Sequence, residues 1–112
     1  MKRDLCLKWI KALRSGIYQQ GRGRLRLHLR GEGFRYCCLG VLCDLYDPSK
    51  WTGFRDNCFD GVEEVLGERH LAQLGLAWRE AQILMEMNDR DRKDFGQIAD
   101  WIEQHLLPNC TD

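Results

Sequence analysis

The chain has 112 residues, 44% of them hydrophobic and 30% charged, and its 17 basic and 17 acidic side chains balance to a formal charge of zero. That is enough for one globular domain with its own core, and too apolar for a disordered segment. No apolar stretch approaches the roughly 20 residues a membrane helix needs, and Asp4, Lys8, Lys11 and Arg14 interrupt any secretory leader, so a cytoplasmic protein with no membrane partner is expected.

The elements follow in chain order. Leu5, Trp9 and Leu13 recur every fourth residue, with Cys6, Ile10 and Ile17 beside them, which predicts an amphipathic helix over 4–15. Asp4 caps its start and Gly16 its end. The period then changes to two: Leu25, Leu27 and Leu29 alternate with Arg24, Arg26, His28 and Arg30, as on a strand with one basic face. Gly31-Glu32-Gly33 turns the chain, and Phe34 to Tyr36 returns as the second strand of a hairpin, whose leucine face must pack on helices. Cys37 to Tyr46 is too apolar for a surface and predicts a short buried helix, ended by Asp47-Pro48-Ser49. Residues 50–61 have no clear period and form an ordered loop, with room for a short strand, anchored by aromatics such as Trp51 and Phe54.

Short helices are expected over Val62 to Gly67 and over Arg69 to Leu74, and a longer one over Trp78 to Met87. Asn88 to Lys93 reads as a polar turn. Asp94 and Gln97 match a capping box, and Phe95, Ile98, Ala99, Ile102 and Leu106 form the buried stripe of a last helix that Pro108 follows. The fold class expected is therefore α+β: a compact, mostly helical single domain over residues 1–112, with four to five helices and a small antiparallel β-hairpin.

Charge is unevenly placed along the chain. Residues 1–35 hold ten Lys/Arg against two acidic residues, and residues 36–112 hold seven against fifteen, about +8 and −8. Held apart, the halves would present a positive face to an anion; packed together they would largely cancel.

Three segments carry a resemblance. They are Trp9-Ile10-Lys11-Ala12-Leu13-Arg14-Ser15-Gly16; the glycine-basic lead-in to Tyr36-Cys37-Cys38-Leu39-Gly40-Val41-Leu42-Cys43-Asp44-Leu45; and Leu84-Met85-Glu86-Met87-Asn88-Asp89, continued by Phe95 and Ile98-Ala99-Asp100-Trp101-Ile102-Glu103. Together they resemble a set of short uncharacterised proteins from tailed phages, prophages and bacteria, over most of the chain except residues 47–65. The resemblance implies a phage or mobile-element accessory protein and supplies no reaction.

Candidate chemistry divides into five kinds. Six cysteines, Cys6, Cys37, Cys38, Cys43, Cys58 and Cys110, include no C-x-x-C pair; several stand at apolar positions, so packing is favoured over zinc and, without a secretion signal, free thiols over disulfides. Cys37, after Arg35 and before a helix, is a candidate thiolate nucleophile with His28 as a possible base. The Asp89 to Asp100 stretch fails the calcium-loop template, which wants glycine at its sixth position and glutamate at its twelfth. Arg22, Arg24, Arg26, His28, Arg30 and Arg35, with Phe34 and Tyr36, form a basic aromatic ribbon suited to nucleic acid or to a small anion such as a nucleotide. The sequence pI near 6.8 weighs against a dedicated nucleic-acid binder.

The function expected is that of a phage- or prophage-type accessory binding protein acting stoichiometrically on a host factor or an anionic ligand, with no cofactor and no metal. Its ligand-binding residues would be Arg22, Arg24, Arg26, His28, Arg30, Arg35, Tyr36 and Trp51, and Tyr36, Trp51 or Phe54 would serve as exposed aromatic anchors. The alternatives are a nucleic-acid-binding regulator and a cysteine-dependent enzyme.

Overall fold

The computed structural model describes residues 1–112. Five α-helices surround one core of 26 buried residues, and two small two-stranded antiparallel sheets lie beside it. The fold is α+β and mostly helical, as expected. No helix is long and apolar enough to cross a membrane.

Helix α1, Arg3–Arg14, buries Cys6, Trp9, Ile10 and Leu13 in the core. Ile17, expected to extend that apolar stripe, lies past the helix end and is 81% exposed. Strands β1, Arg26–Leu29, and β2, Gly33–Tyr36, pair in the register Arg26 with Tyr36 and His28 with Phe34. The hairpin is shorter than the alternation suggested, because Leu25 leaves the ladder: its N–H donates to the Glu63 carbonyl and its own carbonyl accepts from Cys37.

Helix α2, Cys38–Tyr46, is the centre of the molecule, with every residue from Cys38 to Cys43 buried. Trp9 is fully buried and its Nε1 donates to the Cys38 carbonyl at 2.9 Å. Gly40 is required by close approach: a Cβ there would sit 1.7 Å from the Leu25 carbonyl oxygen. The glycine thus lets the segment that leads into the hairpin lie directly on α2.

A loop follows, with strands β3, Trp51–Thr52, and β4, Cys58–Phe59, flanking a tight turn at Phe54–Asp56. The helix expected over 62–67 does not form. Those residues run as bends and irregular chain, with the carbonyls of Val62 and Glu63 taken by Phe59 and Leu25. A local turn bond to Phe59 and a tertiary bond to Leu25, just ahead of the hairpin, therefore compete successfully with a helix flanked by Gly61 and Gly67.

Helix α3, Glu68–Leu74, ends at Gly75 in the left-handed conformation. Helix α4, Trp78–Asp89, runs two residues further than its apolar pattern and carries Asn88 into the interior rather than into a turn. Helix α5, Phe95–His105, begins with the expected reciprocal cap: Asp94 Oδ1 accepts from the Gln97 N–H at 2.8 Å, and Gln97 Oε1 accepts from the Asp94 N–H at 3.0 Å. The basic and acidic halves of the chain pack together. Arg14 bridges Asp100 and Glu103 on α5, Arg3 pairs with Asp112, and Arg24 pairs with Glu63.

Candidate functional site

Arg26 stands on the hairpin's basic face, yet it is only 7% exposed. Its guanidinium lies 3.8 Å from the centre of the Phe34 ring and 4.2 Å from that of Trp51. Nε and Nη2 donate to the Asp56 carbonyl at 3.2 and 2.8 Å, and Nη1 lies 3.4 Å from the Tyr36 hydroxyl and 3.8 Å from the Asp44 carboxylate. A planar, weakly hydrated cation tolerates such burial when its faces stack and its edges are hydrogen-bonded. Asp44 anchors this network from α2, accepting from Tyr18 Oη at 2.6 Å and Trp51 Nε1 at 3.0 Å. Burial and that bond to Asp44 hold the Tyr18 phenol well above its usual range.

The expected ligand-binding set is therefore divided. Arg26, Tyr36 and Trp51 are buried and support the surface from beneath; Tyr36 and Trp51 are not exposed anchors, because the 51–59 loop folds over the hairpin and encloses them. Arg24 and Arg35 are engaged by Glu63 and Glu32. Arg22 is exposed with no ion pair but lies on the lead-in, away from the groove described next.

His28 and Arg30 remain, and the structure brings them together with residues from the loop. An open groove of about 410 Å³ is lined by His28, Arg30, Phe34, Arg55 and Asp56. Arg30 and Arg55 are both exposed, and neither forms an ion pair. The His28 N–H is held by Asn57 Oδ1 at 2.9 Å, and its ring Nδ1 is buried with no partner in the protein. Asp56 is the only carboxylate on the rim, so the groove carries two guanidiniums against one carboxylate. Arg55 and Asp56 were not foreseen as site residues. Nothing local marks them: they reach the groove because Arg26 holds the Asp56 carbonyl and the His28 main-chain N–H holds the Asn57 side chain, a long-range effect with no sequence period.

The loop is held under backbone strain. Arg55 and Asp56 both have φ of +57°, a left-handed region that costs a non-glycine residue roughly 1 kcal/mol or more. The hydrogen bonds from Arg26 to the Asp56 carbonyl and from His28 to Asn57 offset that cost. The motif residues anchor the same region from the other side. Asn88, fully buried, accepts from Gln20 Nε2 at 2.9 Å and the Cys38 N–H at 3.2 Å, and donates to the Gly21 carbonyl at 2.9 Å. Asp89 accepts from the Gly23 N–H at 3.0 Å.

The cysteines take a different role. Cys37 caps α2, its sulfur accepting from the Gly40 N–H at 3.4 Å, and burial pushes its thiol up to about 12 rather than down. Desolvation thus outweighs the helix N-terminus that was expected to activate it. Burial likewise raises Cys6 to about 12 and holds Cys38 and Cys43 well above the usual thiol range. All six are free thiols. No three His, Cys, Asp or Glu side chains converge in a way that could hold a metal ion.

A larger cleft, about 670 Å³, lies among the chain ends and the C-terminal ends of α2 and α3, with Met1, Lys2, Asp4, Lys8, Tyr46 and Gly75 in its wall. Its charges alternate in sign, so it offers a charged ligand no consistent complement. The hairpin groove is the stronger candidate.

No curated protein and no solved structure matches the chain. Residues 1–61, which include α1, the hairpin, α2 and the whole groove-forming loop, match the family described as a domain of unknown function, DUF8296, and the chain belongs to that family.

Proposed function

We propose that this chain is an accessory binding protein of phage or prophage type that captures a small phosphate-bearing ligand stoichiometrically in the groove between the β1–β2 hairpin and the 53–57 loop. The host cytoplasm would be its place of action. One observation carries the reading: Arg30 and Arg55 converge on one groove with no internal carboxylate partner, while Arg3, Arg14, Arg24 and Arg26 are all committed within the fold. A guanidinium pair gives phosphate several charge-assisted hydrogen bonds in fixed geometry. The phage setting rests on the motif resemblance, and binding without catalysis accords with the raised thiols of Cys6, Cys37, Cys38 and Cys43.

Calorimetric titration with inorganic pyrophosphate at low salt tests this. One site per chain is expected, weakened about tenfold or more by Arg30→Ala and by Arg55→Ala. Absence of binding, or equal binding by both variants and the native protein, overturns the reading.

A further inference from the structure

Phe54 has no structural reason to be where it is. It is 79% exposed, contributes nothing to the core, and stands on a turn held in shape at both ends. On one side is Gly53 at φ +79°, where a Cβ would meet the Cys58 sulfur at 2.9 Å. On the other are the left-handed Arg55 and Asp56, the latter tied down by Arg26. The side chain of Arg55 folds back so that its guanidinium carbon lies 5.1 Å from the centre of the Phe54 ring. An exposed aromatic ring is thereby set beside one of the two guanidiniums of the groove, and the rest of that ring is open to solvent.

From this placement we infer that the phosphate-bearing ligand is a nucleotide, with its phosphate between Arg30 and Arg55 and its base stacked on Phe54. This rests on the phosphate reading of the groove and adds the ligand's other half. A base stacks on any aromatic face without demanding a particular hydrogen-bond pattern. The guanidinium of Arg55 can stack against the ring and still direct its in-plane N–H groups to a phosphate. Phe34, the aromatic that lines the groove, does not serve as the platform, because Arg26 occupies its face at 3.8 Å and His28 lies against it with ring centres 4.9 Å apart.

The test compares adenosine 5′-monophosphate with ribose 5-phosphate, by calorimetry, on the native chain and on Phe54→Ala and Phe54→Trp. The native chain is expected to bind the nucleotide about tenfold more tightly than the sugar phosphate. Phe54→Ala should erase that difference, weakening the nucleotide more than ribose 5-phosphate, and Phe54→Trp should restore it. The ring makes no core contact, so neither variant threatens folding. Equal affinity for the two ligands in the native chain, or a loss in Phe54→Ala that is the same for both, overturns the nucleotide inference while leaving pyrophosphate binding intact. Tighter binding of a single-stranded oligothymidylate than of the mononucleotide, collapsing with added salt, overturns it in favour of a nucleic-acid surface. Failure of pyrophosphate itself removes the groove reading beneath it.

Discussion

The Nη2 of Arg26 donates to the main-chain oxygen of Asp56 at 2.8 Å, across thirty positions of sequence. That bond joins the hairpin to the loop and turns two flexible segments into the two walls of one groove. It also explains why an arginine is buried in a part of the chain that reads as a basic surface.

Replacing Arg26 should therefore cost both stability and local order. Arg26→Met removes two bonds to Asp56 and leaves the Asp44 carboxylate short of a cation, so a loss of about 3 kcal/mol is expected from urea unfolding. Tryptic cleavage after Arg55 should become fast under native conditions. An unchanged urea midpoint would show that the guanidinium is not a structural part of the groove.

Asn88 is the corresponding hook on α4. Asn88→Ala strands the Gly21 carbonyl and the Cys38 N–H inside the protein, and a loss of about 2–4 kcal/mol is expected. Thermal unfolding monitored by circular dichroism gives the value. A loss below about 0.5 kcal/mol, the level typical of an ordinary surface position, contradicts the assignment.

These two residues show where the sequence was legible and where it was not. Periodicity located α1, α4 and α5, unbroken apolar composition located α2, and the spacing of Asp94 and Gln97 gave the cap, because each reports local geometry that the side chains themselves impose. The alternation of leucine and arginine over 24–30 was a true strand signal, but its inference of a solvated basic face failed for Arg26. A period of two says which residues share a face, and it is silent about whether a later loop will cover that face. The same blindness hid the buried Asn88, expected in a polar turn, and the groove residues Arg55 and Asp56. It also produced a helix over 62–67, where the backbone is claimed by Phe59 and Leu25. Cys38 and Cys43 in the central segment were read correctly as interior, whereas the role of Asp44, which gathers Tyr18, Trp51 and Arg26, was not legible because it depends on residues brought to it by the fold.

The thiols should divide into one and five. Cys58 is the one that is partly exposed, and it should react with a disulfide reagent at pH 8 in the native protein, while the others require denaturation. Cys58→Ser should abolish the early phase. The raised thiols also set an alkaline limit. Burial pushes the Cys6 and Cys37 thiols up to about 12 from the ordinary value of 9.0, so the folded state keeps protons that the unfolded state releases. Their contribution to stability is complete below pH 9 and is lost as pH rises toward 12. Unfolding midpoints independent of pH from 8 to 11 would contradict this.

Asp56 offers a test of the groove's sign. Its carboxylate forms no ion pair and stands on the rim beside Arg30 and Arg55. Asp56→Asn should strengthen pyrophosphate binding by about two- to fivefold, as expected for removing one like charge near a solvated anion. Weaker binding by Asp56→Asn would mean that the carboxylate, not the guanidiniums, holds the ligand.

The most direct measurement is an amide chemical-shift titration of the ¹⁵N-labelled chain with pyrophosphate. The perturbed amides should be those of His28, Arg30, Phe34, Arg55 and Asp56, with Lys8, Tyr46 and Gly75 in the terminal cleft left unchanged. Shifts centred on that cleft, or no shifts at millimolar pyrophosphate, would contradict the assignment of the hairpin groove as the binding site.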